Sequence, residues 1–293
     1  MKLLYCLLPA IALLASACSN SPAADMDPAI ERVPSSISIR AASQNLWSNK
    51  DVMSVFDEEG TRVNFTTSQD NVPNATFSTS EWTGKAPVYA VFCSRKNETT
   101  CTPGGVMGVF IKSAQSVSAK EKCSKDGEAS VGLISGSPGS YEVSMKNVSA
   151  FIKVNLKTGV VGKISVSSIA GETMAGYVDV DYSKISSDQN DFWTPTGDKS
   201  VFSSASIVPA STACFEKGNY LISILPGDYS KGISFTACDD EDNVLAKGTI
   251  SEGQSLKVNR NDIVEVTVEI DSSFEFNGIS TENVPSGDTV YFD

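Results

Sequence analysis

The chain has 293 residues, 41% of them hydrophobic and 20% charged, and its formal net charge is −12. An acidic balance of that size repels phosphate and argues against nucleic acid as a partner. The sequence contains no histidine, which excludes Ser-His-Asp and Cys-His nucleophile activation, imidazole-ligated zinc and histidine-ligated haem.

The first predicted element is a signal peptide over residues 1–17, whose apolar run from Leu7 to Ala17 behind Lys2 is too short to span a bilayer as a mature helix. Ala15, Ser16 and Ala17 precede Cys18, small residues that suit a lipoprotein signal peptidase, so Cys18 is the candidate lipidation site. Leu14 stands four places before this cysteine where lipoboxes usually carry such a residue at three, and an ordinary signal peptide that contains a cysteine is the competing reading. Residues 18–35 hold three prolines and no sustained apolar period, which predicts a tether.

Short strands with turn punctuation follow. They are predicted at 36–40, 52–65 with a hairpin turn in "DEEGTR", 87–92 and 105–112, then at 149–156, 163–169, 176–182, 219–226, 232–238 and 262–270. The last is the clearest, with Val264, Val266, Val268 and Ile270 alternating against Glu265, Thr267 and Glu269. Helical spacing surfaces only weakly, around 113–123. The expected fold class is all-β, with antiparallel sheets packed face to face. The Gly/Ser/Pro-rich "SGSPGS" at 135–140 suits a junction between an N-terminal domain over 36–138 and a C-terminal domain over 141–293, with a long loop inside one sandwich as the alternative.

Beyond Cys18 the cysteines are Cys93, Cys101, Cys123, Cys214 and Cys238. The odd number without a CxxC pair points away from zinc or redox motifs and leaves at least one thiol unpaired. In an exported protein Cys93–Cys101 and Cys214–Cys238 are candidate disulfides, with buried free thiols as the alternative. The acidic run Asp239 to Asp242 lacks the alternation and glycine bend of a calcium loop and reads as a solvated hairpin turn. Trp47 and Trp82 read as core. Trp193, in the polar loop 186–200 beside Phe192, is the candidate ligand contact.

In this order the blocks resemble the fimbrillin-like family of Bacteroidetes surface lipoproteins. "LWSNKDVMSVFDEEGTRVNFT" (46–66) and "ATFSTSEWTGKAPVYAVFCS" (75–94) are similar to the family's Trp, Asp-led and "ATFsG"-like strands. "MKNVSAFIKVNL" (145–156), "SSIAGETMAGYVDVDY" (167–182), "YLISILPGDYSKGISFTACDDEDN" (220–243) and "LKVNRNDIVEVTVEI" (256–270) are similar to its later segments. Asn49-Lys50-Asp51, Ser80 and Cys93 depart from the usual pattern. The resemblance implies two tandem transthyretin-like β-sandwich domains and an outer-membrane lipoprotein anchored through Cys18. It also implies a fimbrial subunit or related cell-surface adhesin. In pilus-forming members an Arg-specific protease removes a first strand with its lipid, and the emptied groove accepts a strand from the next subunit, so the partners are other fimbrial subunits or a second copy of the chain. Here the first strand is 35–39 ending at Arg40, with Arg32 as a second candidate cut; a solvent-facing Arg40 in an uncut strand is the alternative. The C-terminal "TVYFD" (289–293) is an ordinary last strand or the donated one. "DTV" (288–290) matches a short Bacteroidetes O-glycosylation motif and makes Thr289 a candidate acceptor.

No enzymatic activity, cofactor or metal is expected, since what remains without histidine is carboxylate-pair or lysine chemistry and no motif for either stands out. The competing function is a monomeric glycan-binding surface lipoprotein of a polysaccharide-uptake system, with Trp193 as its stacking platform.

Overall fold

The computed structural model describes residues 35–82, 85–120, 122–157, 159–185, 190–197, 199–269 and 273–280. In its first strand, β1 (Ser35–Trp47), Ile39 and Ala41 are fully enclosed while Ser36, Ser38 and Arg40 face solvent. That period of two belongs to a strand with one face on a core. β2 (Val52–Asp57) and β3 (Arg62–Thr66) form the predicted hairpin. The enclosed Asp57 carboxylate closes its turn by accepting the backbone N–H groups of Glu59 and Thr61, and reaches further to that of Lys85. Gly60, at φ 83°, takes the left-handed position the turn needs.

β4 (Val72–Trp82), β5 (Pro87–Cys93), β6 (Thr100–Thr102), β7 (Gly105–Ile111) and β8 (Ala114–Val117) come next. β9 (Ala129–Ser135), β10 (Tyr141–Ser144) and β11 (Lys146–Asn147) complete the first half. Strands β10-β1-β4-β3-β2-β5-β9 pair in that order, and β9 pairs back onto β10, closing a barrel-like ring of seven strands. Closure leaves no free sheet edge in the ring. Its interior holds Ile39, Trp47, Met53, Phe65, Phe77 and Trp82, with the Trp47 ring edge-on to Phe77 at 4.8 Å and to Phe92 at 5.2 Å.

The second half begins with β12 (Ala150–Leu156), β13 (Lys163–Ser168), β14 (Ala175–Asp181), β15 (Trp193–Pro195), β16 (Val201–Phe202) and β17 (Ser204–Pro209). β18 (Gly218–Ile224), β19 (Gly227–Tyr229), β20 (Ile233–Cys238) and β21 (Val244–Ile250) follow. β22 (Leu256–Val258), β23 (Ile263–Glu269) and β24 (Ser273–Ser280) end the described chain. The sheets β18-β12-β23-β24 and β21-β20-β13-β17-β8 share one apolar core that includes Ile152, Val154, Ile164, Val166, Ile222 and Phe235. The two-stranded sheet β19-β22 contributes Tyr229, Leu256 and Val258 to it.

A middle layer joins the halves. β7 pairs antiparallel with β14, and β8 pairs parallel with β17, so strands from before residues 135–140 pair with strands from after them. The 135–140 turn itself lies between β9 and β10, both members of the ring. A cluster drawn from both sides, including Phe56, Val91, Val109, Val178, Phe192 and Leu225, fills this layer. Two glycines fit β7 to its partner. A Cβ on Gly105 would stand 2.4 Å from the Val180 carbonyl oxygen, and Gly108 takes φ 74° opposite the register shift between Val178 and Val180.

Among the described residues there is no α-helix, only a 3-10 turn at Lys96–Glu98. The helical spacing around 113–123 is overridden by tertiary pairing. Gln115 is fully buried, its amide donating to the carbonyls of Lys112 and Ser223 and accepting the Ser223 N–H, and β17 holds this stretch extended as β8.

Candidate functional site

The candidate first strand is an inner strand. β1 lies between β4, antiparallel, and β10, parallel, so its backbone is bonded on both sides: Ile39 faces Phe77 and Tyr141, and Ala41 faces Ala75 and Val143. Between them Arg40 faces Thr76 and Glu142. Its side chain points outward, 65% exposed, with Nη1 3.8 Å from Glu142 Oε1. An exposed ion pair at that distance contributes little. Arg40 is thus presented to solvent by its side chain while its peptide bonds sit within the ring. Cleavage there leaves residues 41–47 in place and frees only 35–40, vacating positions beside Phe77, Thr79 and Trp82 of β4 and Tyr141 of β10. Cys18, Arg32 and Thr289 lie outside the described residues, as does the 289–293 segment.

The five cysteines of the body are free thiols, so neither Cys93–Cys101 nor Cys214–Cys238 is joined. Cys93 and Cys238 are buried, while Cys101 Sγ donates to Asp57 O at 3.7 Å. Burial pushes the Cys93 and Cys101 thiols above the usual range, and burial together with the charges of Asp240 and Asp239 does the same at Cys214. Such thiols are poor nucleophiles.

The acidic run forms the expected turn. Asp239 Oδ1 accepts the N–H groups of Glu241 and Asn243, Asp242 sits at φ 63°, and its carboxylate pairs with Lys163 at 3.3 Å. No group of three or more His, Cys, Asp or Glu side chains placed to hold a metal occurs among the described residues.

Trp47 and Trp82 are core residues, 1% and 4% exposed. Trp193, which opens β15, is half-buried against the middle layer with its indole N–H donating to Pro226 O at 3.1 Å. It borders two clefts. One, of about 440 Å³, is lined by Gly104, Met107, Asp179, Asp181 and Lys184. The other, of about 660 Å³, is lined by Glu172, Asn190, Asp191, Asp228 and Lys257. Asn190 donates its amide to Val258 O at 2.7 Å, while its Oδ1 is enclosed without a hydrogen-bond partner. Burial pushes the Glu172 carboxyl up, but hydrogen bonds from the Ser168 and Ser230 hydroxyls and the Ser230 backbone N–H outweigh it and hold the pKa at about 2.

No known family model and no curated protein matches the sequence. Solved structures match over most of their length. A proposed cell adhesion protein of Bacteroides ovatus is 11% identical, with 89% of this chain and 100% of that chain covered at a TM-score of 0.49. Another proposed cell adhesion protein, from Bacteroides uniformis, is 13% identical over 84% of this chain and 97% of its own at 0.46. The tip fimbrial protein of Porphyromonas gingivalis, truncated at its C-terminus, is 11% identical over 84% and 98% at 0.39. The structures this chain resembles are fimbrial proteins and proposed cell adhesion proteins of Bacteroidales.

Proposed function

We propose that the protein is a fimbrial subunit or fimbria-related surface adhesin, delivered to the outer membrane through lipid on Cys18 and assembling by β-strand addition. Its partners are other fimbrial subunits or further copies of itself. The role is non-enzymatic, in keeping with a sequence that has no histidine. Two transthyretin-like β-sandwich units are the finer fold of this reading.

The observation that carries it is the seat of β1, an inner strand with Ile39 and Ala41 in the core and an exposed arginine between them. Release of residues 35–40 from an inner strand leaves unsatisfied backbone on both neighbours, along β4 from Thr76 to Trp82 and at Tyr141 and Glu142 of β10. A second strand of alternating apolar residues fits such a groove and restores both ladders. The order of fimbrillin-like blocks across 46–270 supports the same assignment. Arg32 lies before β1, so a cut there alone leaves the ring intact.

The reading is tested by the N-terminal residue of the protein isolated from cells. A start after Arg40 in assembled material is the expected result. Assembled material whose chains all begin at lipidated Cys18 would contradict strand release. A second reading, a monomeric glycan-binding lipoprotein, is favoured by Trp193 standing between two polar clefts. It predicts saturable sugar binding that Trp193→Ala removes, and a glycan array without hits sets it aside.

A further inference from the structure

A lysine and two carboxylates from distant parts of the chain meet in a way that no part of the strand-exchange reading uses. Lys125 Nζ lies 3.1 Å from Asp51 Oδ2 and 3.0 Å from Glu128 Oε2. Glu128 is 7% exposed and the Asp51 side chain 13%. The Phe92 ring covers the same ammonium, its centroid 5.1 Å from Nζ. A surface lysine ordinarily lays its stem on apolar surface and lifts its charge into water. Here the side chain keeps 46% exposure yet its charged end is turned inward between two enclosed carboxylates.

Both reactants are held by tight turns. Asp51 N–H donates to Ser48 O and the Ser48 N–H returns to Asp51 Oδ2 at 2.8 Å. On the other side Gly127 and Glu128 donate their N–H groups to Ser124 O, and the Ser124 hydroxyl is tied to Ser116 O at 2.7 Å. One atom is left over. Glu128 Oε2 is fully enclosed and has no hydrogen-bond partner, its contact with Nζ lying off the hydrogen-bonding direction. It is an enclosed acceptor 3.0 Å from the ammonium, in position to take a proton from it.

The geometry points to an intramolecular amide between Lys125 Nζ and Asp51 Cγ, formed by the folded chain with Glu128 as the proton carrier. The step is a condensation. Lys125 gives up a proton through Glu128 and its lone pair attacks Cγ, forming the C–N bond. Oδ2, already holding the Ser48 N–H, carries the developing charge. Oδ1 leaves as water with the two protons that the ammonium loses, so an ammonium and a carboxylate become an amide and one water with no oxidant or other reactant. Holding Nζ 3.1 Å from Oδ2 makes the encounter intramolecular, and such placement supplies effective molarities of about 10⁵ M or more. Burial raises the Glu128 pKa, which lowers the cost of passing a proton to it. Burial favours the neutral amine at Lys125, but the charges of Glu128 and Asp51 outweigh it and hold its pKa above the ordinary lysine value. The bond therefore forms slowly after folding. It would fasten the β1–β2 corner to the connection ahead of β9, across the part of the ring where β2 and β9 flank β5.

The test is the intact mass of the purified full chain, its N-terminus determined, together with a peptide map. The expected mass is lower than that of the sequence by one water molecule. A branched peptide should join the segments carrying Asp51 and Lys125, and Lys125→Arg and Glu128→Gln should return the full mass. A folded wild-type chain at the full mass would overturn the proposal. So would a lost water that persists in Lys125→Arg without a branched peptide, the signature of dehydration at Asp126-Gly127. If either variant fails to fold, the branched peptide in the wild-type chain decides alone.

Discussion

Glu172 shows how a single side chain fixes a loop that its neighbours leave free. It sits between β13 and β14 and ties Ser168, at the end of one strand, to Ser230, past the end of β19. The Ser168 hydroxyl also receives the N–H groups of Gly171 and Glu172 at 3.0 Å each, so the loop closes on itself around one oxygen. Because the folded pKa is depressed from 4.5 to about 2, this carboxylate's contribution is complete above the unfolded value and is lost as pH falls through the folded one. Glu172→Gln should lower stability at pH 7 by about 1–2 kcal/mol, the scale of a hydrogen bond to a charged group. The difference between variant and wild type should shrink between pH 4.5 and 2. Thermal unfolding of both proteins across that range checks it, and a difference that stays constant down to the acid limit would contradict the assignment.

At the scale of elements, the strands that the sequence announces are those that alternate or run apolar between turn residues. The hairpin at 52–65, β12, β13, β14, β18, β20 and β23 all stand within a residue or two of their predicted bounds. β9 (ASVGLIS) and β17 (SASIVP) were not anticipated by the pattern, because serine and alanine dilute their apolar period while tertiary pairing holds them extended. Of the site, the outward arginine between two inward apolar residues is legible in "SISIRA". Its two-sided seat is not, since a parallel partner one hundred residues away leaves no local signal. Lys125, Glu128 and Asp51 were invisible for the same reason, each being an ordinary charged turn residue by sequence. The joint between β7 and β14 rests on close backbone approach at Gly105. Gly105→Ala should cost about 1–3 kcal/mol through displacement of the Val180 carbonyl, measured by urea unfolding. A neutral effect would mean that the two strands are not held as tightly as described.

On the scale of the whole molecule, three large apolar clusters lie along the described chain, with a small fourth at Phe151, Leu221 and Ile263. One belongs to the ring of the first half, one to the paired sheets of the second, and the middle one draws on both. The buried Gln115–Ser223 bonds and the β8–β17 pairing add polar contacts to that joint. The described residues group as one compact unit. Heat or denaturant should therefore unfold the body in a single transition that near-UV and far-UV signals report together. Two resolved transitions would mean that the middle layer does not couple the halves.

The central claim is that β1 is an exchangeable strand, and size analysis of the purified chain after treatment with an Arg-specific protease tests it most directly. Because β1 is bonded on both sides, cutting should be slow and limited by local opening of the ring. Once Arg40 is cleaved, the account predicts loss of the N-terminal fragment and growth of polymers whose formation is blocked by an excess of a peptide with the sequence of residues 35–40. Chains that are cleaved at Arg40 and remain monomeric, with or without the peptide, would contradict it.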